Sequence, residues 1–421
     1  MQQSWDVVAD SLRSAPFQTA IRMYGTDESN GKTTAGRECF EMLYRKMPRI
    51  EEKLSILGFG AMRLPVNADG SVDDKTVDVM MHKAIEGGIN YVDTAWPYHG
   101  GKGEDAVGRA LRGGLRDKVM LVTKMPVWII NSQADMERTL DEQLKKLQTD
   151  HIDIYLLHSM TDPRWRSMQK LDALAFLERA RAAGKIRYIG FSFHDGVKLF
   201  REMVDAYDWD MCQIQYNLLD WNFQAGTEGL RYAASKGIGM TIMEPLKGGI
   251  LGMPVEGGLR DIAARSGYNA PNLADMSLRW VWNHPEVSVV LSGMSTPRQM
   301  EENLESADRG VANGMSDSDL KMVDDVRTHL QSRIRAACTG CSYCMPCPQA
   351  VDIPQCFRSL NDASLSGKWE ALKANYLYLL GGTRELKGAS HCVECGLCET
   401  KCPQHLPIRK LLKEVKEAFG V

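Results

Sequence analysis

Two short runs near the C-terminal end of the chain hold eight of its eleven cysteines. The runs consist of Cys338, Cys341, Cys344 and Cys347, followed by Cys392, Cys395, Cys398 and Cys402. The second run has the spacing C-x2-C-x2-C-x3-C-P, which is typical of the thiolate ligands of a bacterial 4Fe–4S cluster. Thiolates at this spacing predict a centre that transfers single electrons.

The first run departs from this spacing, because two residues rather than three separate Cys344 from Cys347. A proline follows Cys347, as one follows Cys402, so we interpret these two cysteines as equivalent. In two-cluster ferredoxins the fourth cysteine of one run binds the cluster of the other. We therefore expect two 4Fe–4S clusters. The predicted ligand sets are Cys338, Cys341, Cys344 and Cys402 for one cluster, and Cys392, Cys395, Cys398 and Cys347 for the other.

Three alternatives stay open for these cysteines. Cys356 lies near the first run and could replace Cys347 as a ligand. Two zinc sites of four thiolates each could also use C-x2-C pairs, although three closely spaced cysteines and a remote Cys-Pro favour iron–sulfur clusters. Disulfides are disfavoured in a reducing compartment. Cys39 and Cys212 lie far from both runs and are interpreted as ordinary thiols.

A second group of reactive side chains lies at the ends of three candidate strands. Asp93 ends one strand, Tyr98 follows it, Lys124 ends the next strand and His158 the one after that. The carboxyl ends of parallel barrel strands meet at one mouth. There a lysine ammonium would lower the pKa of the tyrosine, and the aspartate would pair with the lysine. The histidine would orient a carbonyl oxygen, so the set predicts proton transfer to a carbonyl.

Each of these four residues also has a structural interpretation. Asp93 could cap a loop, Lys124 could be a solvated edge residue, and Tyr98 could be a packing aromatic. His158 could be a core histidine whose ring bonds to the backbone. Their joint placement at one mouth favours the catalytic interpretation.

Eight segments rich in Val, Ile, Leu or Tyr alternate with segments of helical periodicity. Eight such units in roughly 250 residues are typical of a (β/α)8 TIM barrel, which is the predicted fold. An open doubly wound sheet is disfavoured, because no G-x-G-x-x-G follows the first strand. The predicted strands are residues 55–60, 89–95, 119–124, 151–158, 186–192, 211–217, 238–245 and 287–294.

The composition of the chain changes twice along its length. Residues 1–41 are polar and lack sustained periodicity, so we expect a poorly ordered extension. Residues 42–335 would form the barrel, with a last helix near 316–335. Residues 336–421 would form a small, mainly helical ferredoxin-like domain that binds the two clusters. In that domain, helices are predicted within 355–380 and 407–419.

Charge and hydropathy exclude several classes of function. The formal net charge is −3, and no basic stripe is present, so a nucleic-acid partner is not expected. No uninterrupted apolar run is long enough to cross a bilayer, so no membrane association is expected. The N-terminal sequence lacks the pattern of a secretory signal, and a cytoplasmic location is predicted.

Four motifs around the strand ends resemble those of the aldo-keto reductases. They are LGFGAMRLP (57–65), NYVDTAWPYHGG (90–101), LVTK (121–124) and IDIYLLH (152–158). The resemblance implies that Asp93, Tyr98, Lys124 and His158 form a catalytic tetrad, with Tyr98 as the proton donor. The C-terminal cysteines resemble those of the subgroup that carries a four-iron ferredoxin module.

The same resemblance implies an NAD(P)H site, although this chain departs from the family pattern. Ser192 and Gln213 match the positions that hold the nicotinamide carboxamide, and Met243 stands where an aromatic usually stacks. The family's 2′-phosphate lysine and arginine align with Gly293 and Gln299, so a preference for NADPH over NADH is not implied. The implied cofactor-binding residues are Ser192, Gln213, Met243, Leu246, Gly248, Gly293, Gln299 and Asn303.

The loops above the barrel carry Trp96, Trp128, Trp165 and Trp221, which either line an apolar pocket or pack against one another. The first functional hypothesis is a reductase of small carbonyl substrates whose clusters exchange electrons with a partner protein. The second is a cluster-driven one-electron reductase without nicotinamide. The third is an electron-transfer or docking protein with an idle barrel.

Overall fold

The computed structural model describes residues 41–338, 340, 344–380, 387–402 and 404–421. The predicted extension lies outside the described residues except for Glu41, as do Cys39 and Cys341. The described chain opens with an antiparallel hairpin of two short strands, β1 (Tyr44–Lys46) and β2 (Lys53–Ser55). This hairpin is not predicted from the sequence, because strands of three residues are too short to show alternation.

Eight parallel strands follow and close into a barrel. They are β3 (Leu57–Gly60), β4 (Tyr91–Asp93), β5 (Met120–Met125), β6 (Ile152–Met160), β7 (Ile186–Phe193), β8 (Met211–Gln215), β9 (Gly239–Met243) and β10 (Val289–Ser292). Neighbours around the barrel run in the order β10-β3-β4-β5-β6-β7-β8-β9. Every strand overlaps its predicted segment, and the predicted TIM barrel is confirmed, whereas the open-sheet alternative is wrong.

The barrel interior is filled by side chains rather than open. Tyr91, Met120, Leu156 and Val289 belong to one buried cluster, in keeping with the layered core of such barrels. The hairpin contributes further apolar side chains to this cluster and so covers one end of the barrel; these are Met47, Ile50 and Leu54. Chemistry is therefore restricted to the opposite end, where the strands finish.

Eleven helices that the structure describes accompany the barrel strands. The helices are α1 (Asp74–Glu86), α2 (Gly103–Ala110), α3 (Gln133–Leu147), α4 (Asp162–Lys170), α5 (Ala173–Ala182), α6 (Val197–Ala206), α7 (Gly226–Ser235), α8 (Gly258–Ser266), α9 (Ala274–Trp282), α10 (Pro297–Asp308) and α11 (Asp317–Gln331). Their apolar faces pack against the strands in the main hydrophobic core. Helix α11 begins at a capping box, in which Ser316 and Asp319 bond reciprocally.

The C-terminal region forms a second unit with its own core. Its described helices are α12 (Ile353–Ser366), α13 (Trp369–Leu380), α14 (Leu397–Lys401) and α15 (Ile408–Phe419). Tyr376 and Phe419 stack at 4.7 Å between ring centroids within this core. Leu330 belongs to the barrel core and Ala336 to the second core. We therefore place the domain boundary between these two residues.

The predicted helical segment in 355–380 is divided into α12 and α13. Gly367 ends α12 in a left-handed conformation at φ 71°, which glycine adopts without steric cost. No described helix is both long and apolar enough to cross a lipid bilayer.

Candidate active site and cluster-binding loops

A buried ion pair lies at the base of the barrel mouth. Lys124 on β5 donates from Nζ to Asp93 Oδ1 at 2.6 Å and to the Thr94 carbonyl at 2.8 Å. The two charged side chains are 1 % and 3 % exposed. Burial raises the pKa of Asp93 and lowers the pKa of Lys124, while their mutual attraction opposes both shifts. The register of β4 and β5 brings the two side chains together, because Asp93 lies opposite Val122, two residues before Lys124.

A buried polar network supports Lys124 from behind, and sequence reasoning missed it. The Gln143 amide donates to Glu104 Oε1 at 2.6 Å and to the Lys124 carbonyl at 3.1 Å. The Thr123 hydroxyl donates to the same Glu104 oxygen at 2.7 Å, and the Tyr155 hydroxyl donates to Gln143 at 2.7 Å. These bonds hold the end of β5 in place. Helical periodicity alone identifies Glu104 and Gln143 only as polar residues on a buried face.

Tyr98 lies in the turn after β4, beside this ion pair. The turn contains left-handed residues at His99 (φ 52°) and Gly100 (φ 63°). His99 Nε2 accepts the backbone N–H of Leu64 at 3.2 Å, which ties the turn to the loop after β3. Lys124 Nζ lies 5.4 Å from the centroid of the Tyr98 ring. The predicted neighbours are therefore brought together.

The expectation that the pKa of Tyr98 is lowered is wrong. Burial raises the pKa of Tyr98 well above its ordinary value, the carboxylates of Asp93 and Glu244 raise it further, and Arg63 opposes them. The Lys124 ammonium bonds to Asp93 and does not outweigh these effects on Tyr98. The phenol is therefore protonated at neutral pH, which suits a proton donor.

His158 completes the group as a neutral imidazole. Its ring meets the Tyr98 ring edge-on, with 6.4 Å between centroids, and lies 5.1 Å from the Trp128 ring. Burial lowers its pKa well below the ordinary value, and the charges of Lys124, His194 and Arg164 lower it further. Among the described residues His158 Nδ1 has no hydrogen-bond partner. The backbone bond of the structural alternative is thus not made at this atom.

The four loop tryptophans divide between the mouth and the core. Trp128, which is 42 % exposed, lies against His158 at the mouth. Trp165 is buried and packs 6.4 Å from Trp209, so it is structural. Lys146 lies over the ring of Trp96 at 3.8 Å, and Trp221 is 40 % exposed. Trp128 is therefore the tryptophan that fits the pocket interpretation, and Trp165 packs against a core tryptophan outside this group of four.

Ser192 and Gln213 lie side by side, as paired residues of β7 and β8. Ser192 Oγ accepts the Ser159 backbone N–H at 2.7 Å, which leaves its own hydroxyl proton to donate. Gln213 Oε1 is buried without a hydrogen-bond partner among the described residues. A buried acceptor beside a hydroxyl donor matches a carboxamide, so these residues fit the nicotinamide site that the family implies.

The loops after β9 and β10 flank the same mouth. Met243 ends β9, and Leu246 precedes a turn in which Gly248 (φ 65°) and Gly249 (φ 96°) are left-handed. No atom lies within 4 Å of where a Cβ of Gly249 would be, so the turn is open. The Gly249 N–H donates to the Leu246 carbonyl at 2.9 Å, so the turn offers space for a dinucleotide pyrophosphate and not a free N–H at Gly249.

Two of the predicted phosphate-site residues form hydrogen bonds within the protein. Asn303 donates to Ser292 Oγ at 2.7 Å, and Gln299 Oε1 accepts the Ser295 N–H at 2.8 Å. Both bonds shape the end of β10. Gly293 lies at this end against the side chain of Arg63, a residue that sequence reasoning did not single out.

The two cysteine runs share a backbone conformation. The N–H of Gly340 (φ 69°) and that of Glu394 (φ 58°) each donate at 3.4 Å to the sulfur two residues earlier, Cys338 and Cys392. Hydrogen bonds from backbone N–H groups to sulfur stabilise thiolates and tune the reduction potentials of clusters. The structure thus supports a repeated ligand loop.

The equivalence of Cys347 and Cys402 has matching support. Three residues after each, Ala350 and His405 are left-handed at φ 58° and 50°. Their N–H groups donate to the Cys347 and Cys402 carbonyls at 2.8 and 3.1 Å. A helix then begins at Ile353 or Ile408, six residues past each cysteine.

Five cysteines line one cavity of the C-terminal unit: Cys344, Cys347, Cys392, Cys395 and Cys398. Four of them are the set proposed for one cluster, and Cys344 was assigned to the other. Cys338 and Cys402 pack against the core of the unit, and Cys341 lies outside the described residues. Cys356 is fully buried in that core, and burial raises its pKa to about 12. A protonated core thiol is a poor ligand, so the structure favours Cys347.

The described cysteines are not joined by disulfides. Among the described residues, no three thiols, imidazoles or carboxylates are arranged to share one metal ion. Five of the described thiols line one cavity, an arrangement that a multi-atom cluster can use.

The C-terminal unit packs on the mouth of the barrel. Arg358 on α12 donates to Gln215 Oε1, at the end of β8, at 3.3 Å. Lys247, after β9, lies 2.9 Å from Asp220 and 3.7 Å from Asp362 on α12. These contacts place the cysteine loops and the tetrad on the same side of the barrel.

A further contact joins the first cysteine run to the barrel. The ring of Phe223 would lie only 1.8 Å from a Cβ at Gly340. The close approach therefore requires glycine at this position, and the side chain of any other residue would separate the two units.

Comparisons with known proteins agree with both parts of this architecture. The profile of the aldo/keto reductase family matches residues 56–327, and that of the 4Fe-4S dicluster domain matches residues 337–407. An uncharacterized oxidoreductase, YrpG of Bacillus subtilis, is 28 % identical over 331 residues, covering 68 % of this chain and 96 % of that protein. The NADH-specific methylglyoxal reductase of Escherichia coli is 26 % identical over 312 residues, covering 62 % of this chain and 91 % of that protein.

Among solved structures, the aldo-keto reductase AKR11C1 from Bacillus halodurans, in its holo form, superimposes with a TM-score of 0.54 at 25 % identity. The match covers 68 % of this chain and 96 % of that one. This share of the chain is about the size of the barrel without the C-terminal unit. Barrel, mouth and family profile agree, and the chain belongs to the aldo/keto reductase family of oxidoreductases, with a 4Fe-4S dicluster domain appended to its barrel.

Proposed function

We propose that this protein is an iron–sulfur aldo-keto reductase that reduces a small carbonyl compound, with Tyr98 as the proton donor. The observation that carries the proposal is the buried Lys124–Asp93 pair beside a protonated Tyr98 and a neutral His158. These groups lie at the mouth of a barrel that is otherwise filled. The contact between His158 and Trp128 favours an apolar or aromatic substrate.

In the proposed reaction, the substrate oxygen lies between the Tyr98 hydroxyl and the His158 ring. Tyr98 transfers its proton to the oxygen as negative charge develops there, and solvent later returns a proton to the phenolate. Lys124 stabilises that phenolate electrostatically. His158, held neutral by burial, donates or accepts a hydrogen bond without competing for the proton.

Bound NAD(P)H would supply the two electrons as a hydride to the carbonyl carbon, and the product is the alcohol. Ser192 and Gln213 would hold its carboxamide, and Met243 would pack against its ring. Gln299 and Asn303 shape the loop beside it. The 4Fe–4S clusters would transfer single electrons to or from a partner protein. We place such a protein in the cytoplasm, where thiolate ligands stay reduced.

The test combines ligand binding with a single substitution. Protein purified without oxygen is titrated with NADH and NADPH, and the reduction of an aromatic aldehyde is followed in parallel. Tyr98→Phe should lower kcat about 10²- to 10⁴-fold and leave cofactor affinity unchanged. Wild-type protein that binds neither cofactor, or a Tyr98→Phe variant with full turnover, would contradict the proposal.

A second candidate is a cluster-driven reductase that uses no nicotinamide. It is favoured by the direct contacts between the cysteine-rich unit and the barrel mouth, at Arg358–Gln215 and Phe223–Gly340. Such an enzyme would reduce its substrate with a one-electron donor such as dithionite and not with NADH or NADPH. The two candidates therefore differ in which reductant supports turnover.

A further inference from the structure

The loop after β3 holds Arg63 in a defined position at the mouth. The Arg63 carbonyl accepts the Ser295 hydroxyl at 3.0 Å. The next residue, Leu64, donates its N–H to His99 Nε2 at 3.2 Å. The backbone of Arg63 is thus tied to the loop after β10 on one side and to the Tyr98 turn on the other.

The side chain of Arg63 runs across Gly293. A Cβ at Gly293 would lie 3.1 Å from Arg63 Cδ, 3.2 Å from Cγ and 3.3 Å from Cβ. These distances are below ordinary van der Waals contact, so a side chain at position 293 would press on Arg63. Arg63 can therefore follow this path because Gly293 has no side chain.

The guanidinium of Arg63 ends beside the open turn after β9. Arg63 Nη2 lies 3.5 Å from where a Cβ of Gly248 would be. It is 3.9 Å from Glu244 Oε1, which is the outer limit of an ion pair. The side chain is 46 % exposed. Its charge is therefore only weakly engaged by Glu244 and remains accessible from the mouth.

We propose that Arg63 binds the pyrophosphate of the nicotinamide dinucleotide, beside the open Gly248–Gly249 turn. This inference rests on the proposed nicotinamide chemistry. A guanidinium recognises phosphate oxygens through two parallel N–H donors, and the left-handed Gly248–Gly249 turn leaves open space beside it. Glu244 would repel that anion if Arg63 were absent.

The test is an equilibrium titration of the intact, cluster-loaded protein with NADH and with NADPH. Arg63→Gln should weaken the binding of both cofactors by a similar factor, about 10- to 100-fold, as expected when a hydrogen bond to a charged group is lost. Arg63→Lys keeps the charge and should lose less affinity. Melting temperature and iron content verify that the variants are folded.

The matched control is Arg201→Gln. Arg201 on α6 is 49 % exposed, close to the 46 % of Arg63, and pairs with Glu228 on α7. Its removal changes the net charge equally, and both affinities should stay within about twofold because exposed pairs contribute little.

Three results would overturn the inference. Unchanged affinities in Arg63→Gln would show that Arg63 does not contact the dinucleotide. A loss confined to NADPH would assign Arg63 to the 2′-phosphate and not to the pyrophosphate. Wild-type protein that binds neither cofactor would remove the proposed function along with the inference, whereas the first two results leave that function intact.

Discussion

Lys124 and Lys247 are both buried lysines at the mouth of the same barrel, and each faces aspartate. Lys124 is paired with Asp93 alone at 2.6 Å, and the second oxygen of Asp93 has no hydrogen-bond partner among the described residues. Lys247 contacts Asp220 at 2.9 Å and lies 3.7 Å from Asp362 of the second unit. One pair is thus left with unused bonding capacity, and the other is shared between two domains.

The difference lies in how completely the carboxylates are bonded. Asp220 also accepts from Gln215 at 2.6 Å and Asn217 at 3.1 Å. Although burial alone would raise it, the charges of Lys247 and Arg358 hold the pKa of Asp220 below its ordinary value. Both oxygens of Asp220 are bonded, which suits a carboxylate that anchors Lys247, while Asp362 Oδ1 has no hydrogen-bond partner among the described residues. The pair beside Tyr98 combines an unbonded carboxylate oxygen with opposed pKa shifts, which is typical of functional sites.

The largest effect is expected from Lys124→Met. This variant leaves the Asp93 carboxylate buried without a counter-charge, so the free energy of unfolding should fall by about 3–5 kcal/mol. Turnover should fall on the order of 10²-fold or more, because the Tyr98 phenolate loses its stabilising charge. Denaturant titration and steady-state kinetics measure the two effects.

The double variant Asp93→Asn with Lys124→Met separates stability from catalysis. It removes both charges, so most of the lost stability should return while turnover stays low. Recovery of turnover in the double variant would mean that the pair acts only through folding.

A smaller effect is expected from Lys247→Met. The free energy of unfolding should fall by about 2–3 kcal/mol, because Asp220 and Asp362 then share only the charge of Arg358. Docking of the C-terminal unit should weaken, and limited proteolysis near Arg333 should become faster. The control is Lys321→Met, which removes a 75 % exposed lysine and should cost no more than about 1 kcal/mol. Equal losses in the two variants would contradict a docking role.

The free energy of unfolding should also depend on pH, because the imidazoles of His158 and His194 are affected by the charge of Lys124. Burial, followed by the charges of Arg358, Arg164 and Lys124, lowers the pKa of His194 to about 4. As pH falls below about 6.5, the unfolded chain therefore takes up protons before the folded protein does. The contribution of the neutral histidine to the free energy of unfolding should be complete above pH 6.5. It should be lost toward pH 4, by up to about 1.4 kcal/mol per pH unit for each such histidine.

Unfolding at pH 7.0 and 5.5 measures this dependence. His194→Gln should reduce the loss between the two values, while His82→Gln, at an exposed position, should not. An unchanged slope in His194→Gln would assign the acid sensitivity to other groups.

Sequence patterns predicted the barrel and the neighbours in its mouth because both depend on local periodicity. Asp93 and Lys124 lie at the ends of strands whose order follows from the alternation of β and α segments. The network of Glu104 and Gln143, the position of Arg63 and the contact of Lys247 with Asp362 were missed. Each depends on residues far apart in sequence, and each looks like an ordinary polar residue in its own segment.

The pKa of Tyr98 was predicted in the wrong direction for a related reason. A charge next to a phenol can be inferred from strand order, but the depth of burial and the pairing of that charge cannot. The location of Cys356 inside a core likewise could not be inferred from its spacing to the other cysteines.

The shared lysine network also bears on how the protein is assembled during translation. The ribosome releases Asp220 and Lys247 before Asp362 and Arg358, so a nascent barrel holds Lys247 by one carboxylate and leaves Gln215 without its guanidinium donor. Metal-thiolate bonds contribute folding free energy to small cysteine-rich domains. A chain synthesised under iron limitation would therefore carry a folded barrel with an unfinished mouth, and iron supply would determine when each new molecule matures.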